Sequence, residues 1–249
     1  MSDFNRGLSG STPAIVDMGV DVGLRGFMLG VYNKVALGLV LSAALAWVTG
    51  NYAPVQQLLF TVDPMSGRLS YTLLGMIVAF APLVILFSQM FMRRTSPGMA
   101  AFVYWSIVSL IGASFGLLFM FYSDISIFQT FLVTAAAFGG LSLVGYTTKR
   151  DLTAFGSFLI MGLIGLIVAM LVGVFLHSAA LYFAINAIGV LIFAGLIAYD
   201  TQRMKMTYYQ LGGNQAAMSV ATSYGALSLY LDFVNLFRFL LYFMGGSRR

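Results

Sequence analysis

Apolar residues run through this chain in seven long blocks, at roughly 30–50, 70–92, 100–121, 128–147, 153–176, 180–202 and 218–244, separated by short polar or glycine-containing breaks. Each block is close to the roughly 20 residues that a helix needs to cross a hydrocarbon core about 30 Å thick. The pattern predicts seven helices, and the short connections predict antiparallel neighbours in one bundle. The last block differs from the others. In Leu227-Ser-Leu-Tyr-Leu-Asp232-Phe-Val-Asn235-Leu-Phe-Arg238-Phe-Leu-Leu-Tyr242 an apolar background carries a carboxylate, an amide and a guanidinium. At about 100° per residue, Tyr224, Ser228, Asp232, Asn235, Arg238 and Tyr242 share an arc of about 120°. A membrane helix must turn such a stripe towards protein or a water-filled cavity. The expected fold is an all-α integral membrane protein, a bundle of seven transmembrane helices in which six surround a central C-terminal helix.

Composition agrees with this class. Of the 249 residues, 60% are hydrophobic and 8% charged, and the mean hydropathy is +0.92, far from soluble domains. Residues 1–27 hold Asp3, Arg6, Asp17, Asp21 and Arg25 among Gly, Ser and Pro. They lack the basic start and apolar centre of a signal peptide and read as a polar cytoplasmic tail before a transmembrane domain at 28–249. The net charge of +5 sits beside helix ends. It reports topology, and nucleic acid is not an expected partner.

Basic residues set the orientation. The tail and the second, fourth and sixth loops carry Arg6, Arg25, Arg93, Arg94, Lys149, Arg150, Arg203 and Lys205, whereas the first, third and fifth loops carry Arg68 alone. The positive-inside rule then places the amino terminus in the cytoplasm of a cell inner membrane protein. The last segment is long enough for a seventh crossing; a last segment that turned back would keep Arg248 and Arg249 inside. Gly112, Gly116, Gly139, Gly140 and Gly145 are expected at close helix contacts within the bundle, with a dimer interface as the lesser alternative and a monomer as the expected state. Pro82 is expected to kink the second helix or free a carbonyl there, and Lys34 to snorkel to the interface.

The chain has no cysteine and no glutamate, and His177 is its one histidine. Thiolate chemistry, metal ligation by a His and Cys cluster and a histidine-based triad are excluded, and no enzyme activity or resident cofactor is expected. An intramembrane aspartyl protease lacks the Gly-x-Gly-Asp element here, and a retinal receptor lacks a lysine in the last helix. All eight acids are aspartates. Asp3, Asp17, Asp21, Asp63 and Asp124 fall in the tail and outer loops. Asp151 precedes a helix and is expected to cap it or to pair with Lys149 and Arg150. Asp200 ends the sixth segment, where Arg203 at i+3 is an available partner. Asp232 lies well inside the seventh, where a fixed charge must be paired, hydrated or protonated. Arg238 is about 120° round the same helix and poorly placed to pair with it. If Asp200 and Asp232 face each other, they cannot both be ionised cheaply, and a shared proton becomes a switch. Arg93 or Arg94 could compete for Asp200. The pair could instead hold a calcium ion, completed by water, carbonyls or Asn235.

Three stretches, Gly145-Tyr-Thr-Thr-Lys-Arg-Asp-Leu-Thr-Ala-Phe-Gly156, Ala198-Tyr-Asp-Thr-Gln202 and Ala226-Leu-Ser-Leu-Tyr-Leu-Asp-Phe-Val-Asn-Leu-Phe237, closely resemble the transmembrane Bax inhibitor motif family, also called the Bax inhibitor-1 family. The likeness runs from about residue 28 onward and is greatest to bacterial inner-membrane members. It implies six helices around the last and a pH-dependent calcium leak, with calcium ions and protons as partners and an aspartate pair, here Asp200 and Asp232, as sensor. It also implies a latching arginine on the second helix; here only Arg68 precedes that segment, and Arg93 and Arg94 end it. The rival expectation is a scaffold or regulator that binds other membrane proteins and carries no flux.

Overall fold

The structure is a computed structural model and describes residues 22–62, 69–89, 91 and 95–246. Arg93 and Arg94 therefore lie outside the described residues, as does most of the expected tail. Helix α1 (Val22–Asn51) is followed by a short helix α2 (Ala53–Leu59), a hairpin of β1 (Phe60–Val62) and β2 (Leu69–Tyr71), and α3 (Leu73–Gln89). The third apolar block is split into α4 (Pro97–Ser114) and α5 (Gly116–Phe121), after which come α6 (Asp124–Thr147), α7 (Thr153–Leu176), α8 (Ala179–Leu211) and α9 (Gln215–Met244). Among the described residues six helical stretches are long and apolar enough to cross a membrane. The expected second crossing is the exception: α3 has 17 residues, about 26 Å at 1.5 Å per residue.

Local chemistry sets these boundaries. Ser96, Ser123 and Asn214 each take a backbone N–H of the first turn of α4, α6 and α9, and Pro97 follows the first of these caps. Two helices end on left-handed residues: His177 closes α7 at φ 48° and Gly212 closes α8 at φ 56°. Helix α8 continues nine residues beyond the expected end at 202. Apolarity stops there, but Gln202, Arg203, Met204 and Lys205 remain good helix formers. Helix α1 begins at Val22, before the expected boundary at 28, and buries Leu24 and Phe27, with the Phe27 ring 5.8 Å from that of Tyr208 on α8. The α3 helix runs through Pro82 without interruption, so the carbonyl four residues earlier loses its helical donor.

The hairpin pairs Phe60 with Tyr71 and Val62 with Leu69. With α2 it was not readable as regular structure in the apolar pattern.

Packing contacts order the bundle. Gly38 meets Tyr104, Gly112 meets Ser42 and Gly116 meets Thr49 and Gly50, so α1 and α4 run parallel and approach where only glycine fits. Gly189 meets Phe239, Asp200 meets Ser228 and Met204 meets Gly225, so α8 and α9 run antiparallel. Helix α9 packs on α1, α4, α6 and α8, while α3 packs chiefly on α4 and α7 chiefly on α8. It contributes to all three apolar clusters: Leu229 and Tyr230 to one, Leu236 and Phe239 to the second, Phe233 and Leu241 to the third. Its far end is tied by Gly246 N–H donating to Ser126 Oγ at 3.0 Å, beside the start of α6. Helix α9 thus runs the length of the bundle and does not turn back.

Candidate functional site

Two of the three motif stretches hold α8 in place. Gly145 on α6 lies against the backbone of Ala198, and Gly156 on α7 lies under the Tyr199 ring, with no room for a Cβ at either. Gln202 reaches the loop between α6 and α7: its Oε1 accepts from Leu152 N at 2.8 Å and its Nε2 donates to the Arg150 carbonyl at 2.7 Å. In that loop Asp151 takes the Thr153 amide and hydroxyl. These bonds, the hydroxyl's first, hold its carboxyl below the usual aspartate range. Asp151 is thus a helix-start acceptor.

So fixed, α8 presents Asp200 to α9. Asp200 is 5% exposed and Asp232 6%, and the two carboxyls lie close enough to hydrogen-bond if one carries a proton. Asp200 has two further partners. Ser228 on α9 donates its hydroxyl to Oδ2, and Arg203 Nη1 stands 3.5 Å from Oδ1. The Arg203 group also lies 5.9 Å over the Tyr199 ring, which orients it. Among the described residues the basic neighbour of Asp200 is Arg203 on its own helix. Asp200 lies inside α8 and not at its end. Asp232 is less well served: its Oδ2 is buried without a hydrogen-bond partner.

Of the polar stripe on α9, Ser228, Asp232, Asn235, Arg238 and Tyr242 all line one cavity of about 790 Å³, with Asp200 and Arg203 from α8. Tyr224 leaves the stripe and donates to Gln89 Oε1 at 2.8 Å, tying α9 to the end of α3. Asn235 spends its Nδ2 on the Leu231 carbonyl at 2.8 Å, leaving Oδ1 outside that bond. Arg238 faces the cavity, with no carboxylate partner among the described residues. The opposite wall is apolar, with Ile160, Leu163, Ile167 and Met170 on α7. Among the described residues no three His or Asp side chains come together as a metal site. A divalent ion at the pair would have two carboxylates, with Ser228 Oγ, Asn235 Oδ1 and water as further oxygen donors.

Sequence reasoning missed the role of Ser228, visible only as a member of the stripe, and the inward turn of Lys34. Lys34 does not snorkel: its Nζ donates to Ser223 Oγ on α9 at 2.6 Å and lies 6.0 Å over the Tyr104 ring. Gly139 and Gly140, expected at helix contacts, face open space.

The family model for the inhibitor of apoptosis-promoting Bax1 matches residues 24–249. An uncharacterized protein of Caulobacter vibrioides is 62% identical over 251 residues, covering 100% of both chains. The inner membrane protein YbhL of Escherichia coli is 42% identical over 227 residues, which covers 91% of this chain and 94% of YbhL. An uncharacterized protein of Rickettsia prowazekii is also 42% identical, covering 92% of each chain. With this match across nearly its whole length, and with helices built to cross a membrane, the chain is a membrane protein that belongs to the Bax inhibitor-1 family.

Proposed function

We propose that this protein is a cation leak channel, with calcium as the favoured ion, gated by protonation of Asp200 and Asp232. The observation that carries the reading is the placement of these two nearly buried carboxyls side by side in a cavity shared with the polar stripe of α9. Two carboxylates so close and so dry carry one negative charge far more cheaply than two. At low pH the pair holds a shared proton and attracts a cation weakly. At higher pH the second charge either separates the helices or recruits a cation. The reading includes seven crossings, with α3 as the short one, the amino-terminal end in the cytoplasm and α9 in the middle of the bundle. It places the protein in the inner membrane, as YbhL is by name, and assigns it no enzymatic step. Calcium flux into dye-loaded liposomes tests it: flux that depends on pH for the native protein and loses that dependence in Asp232→Asn supports the channel. A pH response unchanged by that substitution overturns it.

A second reading, a scaffold for other membrane proteins, draws on Gly139 and Gly140 of α6, which are exposed with nothing packed on them. Small residues on a lipid-facing surface allow another helix to approach. Co-purification from membranes that is lost in Gly139→Leu, with no flux in liposomes, would select this reading.

A further inference from the structure

The cavity has two chemically different ends. The acid pair and Ser228 form one. Six residues after Asp232, about 9 Å along the helix axis, Arg238 enters the same space. Among the described residues it has no carboxylate within ion-pair distance; the ionisable groups that bear on it are the phenols of Tyr71 and Tyr122. Asp232 does not neutralise it, because the two are about 120° apart round α9 and Asp232 faces Asp200. A guanidinium exposed to a largely apolar cavity, with no counter-ion among the described residues, favours an anion that can take its hydrogen bonds.

The rest of that end narrows the chemistry. Leu163, Ile167 and Met170 fall on one face of α7 at i, i+4 and i+7, and they line the cavity although Ile167 is 46% exposed. The site thus offers one positive charge beside an aliphatic strip. One charge matches a monoanion. Arg238 lies six residues short of the end of α9 at Met244, about 9 Å along the axis, and so sits deeper than a lipid headgroup wherever that helix end meets the headgroup layer. A two-chain lipid would have to draw its phosphate down into the hydrocarbon layer to reach it, whereas a single-chain acid would not.

We infer that this end of the cavity binds a long-chain carboxylate, its head paired with Arg238 and its chain laid against Leu163, Ile167 and Met170.

The test uses the full chain in phosphatidylcholine nanodiscs and the fluorescent acid cis-parinarate. Saturable binding is expected, weakened about tenfold or more in Arg238→Gln, the loss of one charge-assisted pair, and largely kept in Arg238→Lys. The methyl ester of the same probe should bind the native protein as weakly as the acid binds Arg238→Gln, which removes misfolding as an explanation. Ile167→Trp should weaken parinarate as well. Equal binding of acid and ester, or of the native protein and Arg238→Gln, overturns the inference. Displacement by phosphatidylglycerol but not by oleate overturns the carboxylate assignment in favour of a bilayer lipid. None of these readings depends on ion flux, so they stand or fall apart from the channel.

Discussion

Ser228 of α9 donates its hydroxyl to the carboxylate of Asp200 on α8, and this bond joins the two helices at the level of the acid pair. It does for Asp200 what nothing does for the Asp232 Oδ2 atom, which is buried without a hydrogen-bond partner. The two acids are therefore unequal: one is held by Ser228 and Arg203, while the other faces mainly its neighbour. The gate proposed above would have a fixed member in Asp200 and a responsive one in Asp232.

Ser228→Ala removes the fixed member's cross-helix donor. Hydrogen bonds to charged groups are worth about 1.5–3 kcal/mol, and Ser228 is only half-buried, so the lower figure applies. For a chain of this size that lowers the melting temperature by several degrees. Thermal unfolding in detergent measures it, and Ser228→Thr should recover most of the loss.

Gly145→Leu and Gly156→Leu drive a side chain into the Ala198 backbone and the Tyr199 ring. Gly145→Leu should cost more than the 1–3 kcal/mol typical of an overpacked core, because its obstacle is backbone and cannot rotate away, whereas Gly156→Leu meets a side chain and should fall about within that range. Gly139→Leu, with open space around it, should leave the yield of folded protein unchanged. Size-exclusion profiles of the three variants separate these outcomes.

Asp151 supplies a pH effect whose sign is settled. Its carboxyl is held low by Thr153. The stabilisation is present above the ordinary aspartate range and is lost as pH falls through the lowered folded value. Asp151→Ala should therefore reduce stability at neutral pH and have no effect at strongly acid pH. Thr153→Val should bring the Asp151 titration back towards the ordinary range, as followed by carboxyl NMR.

Lys34→Met tests the inward lysine. A snorkelling residue could lose its charge with little effect, but Lys34 bonds Ser223 and sits over Tyr104. The substitution breaks that bond, although Ser223 keeps its bond to the Ser219 carbonyl, and should lower the melting temperature by a few degrees in thermal unfolding, against no shift for a snorkelling residue.

The bundle is legible in the apolar blocks because lipid leaves a spanning backbone only the helix here. The stripe on the last block is legible for the same reason, since Asp232, Asn235 and Arg238 had to avoid acyl chains. Other features follow rules that hydropathy does not record. Helix α8 runs on to Leu211 because helix propensity outlasts apolarity. The hairpin at Phe60–Tyr71 is too short to show a period. Lys34 and Arg238 look alike as basic residues in apolar text, yet one finds a serine and a tyrosine ring while the other faces an open cavity. Which way a long side chain turns depends on helices distant in sequence, as with Ser223, 189 residues from Lys34.

In the proposed channel Asp200 and Asp232 act as one titrating unit in ion passage. The most direct measurement is the pH profile of calcium flux in proteoliposomes for the native protein, Asp200→Asn, Asp232→Asn and the double variant. A shared unit predicts that each single variant flattens the profile and that the double variant adds nothing further. Independent, additive effects of the two substitutions, or a native profile surviving in the double variant, would contradict it.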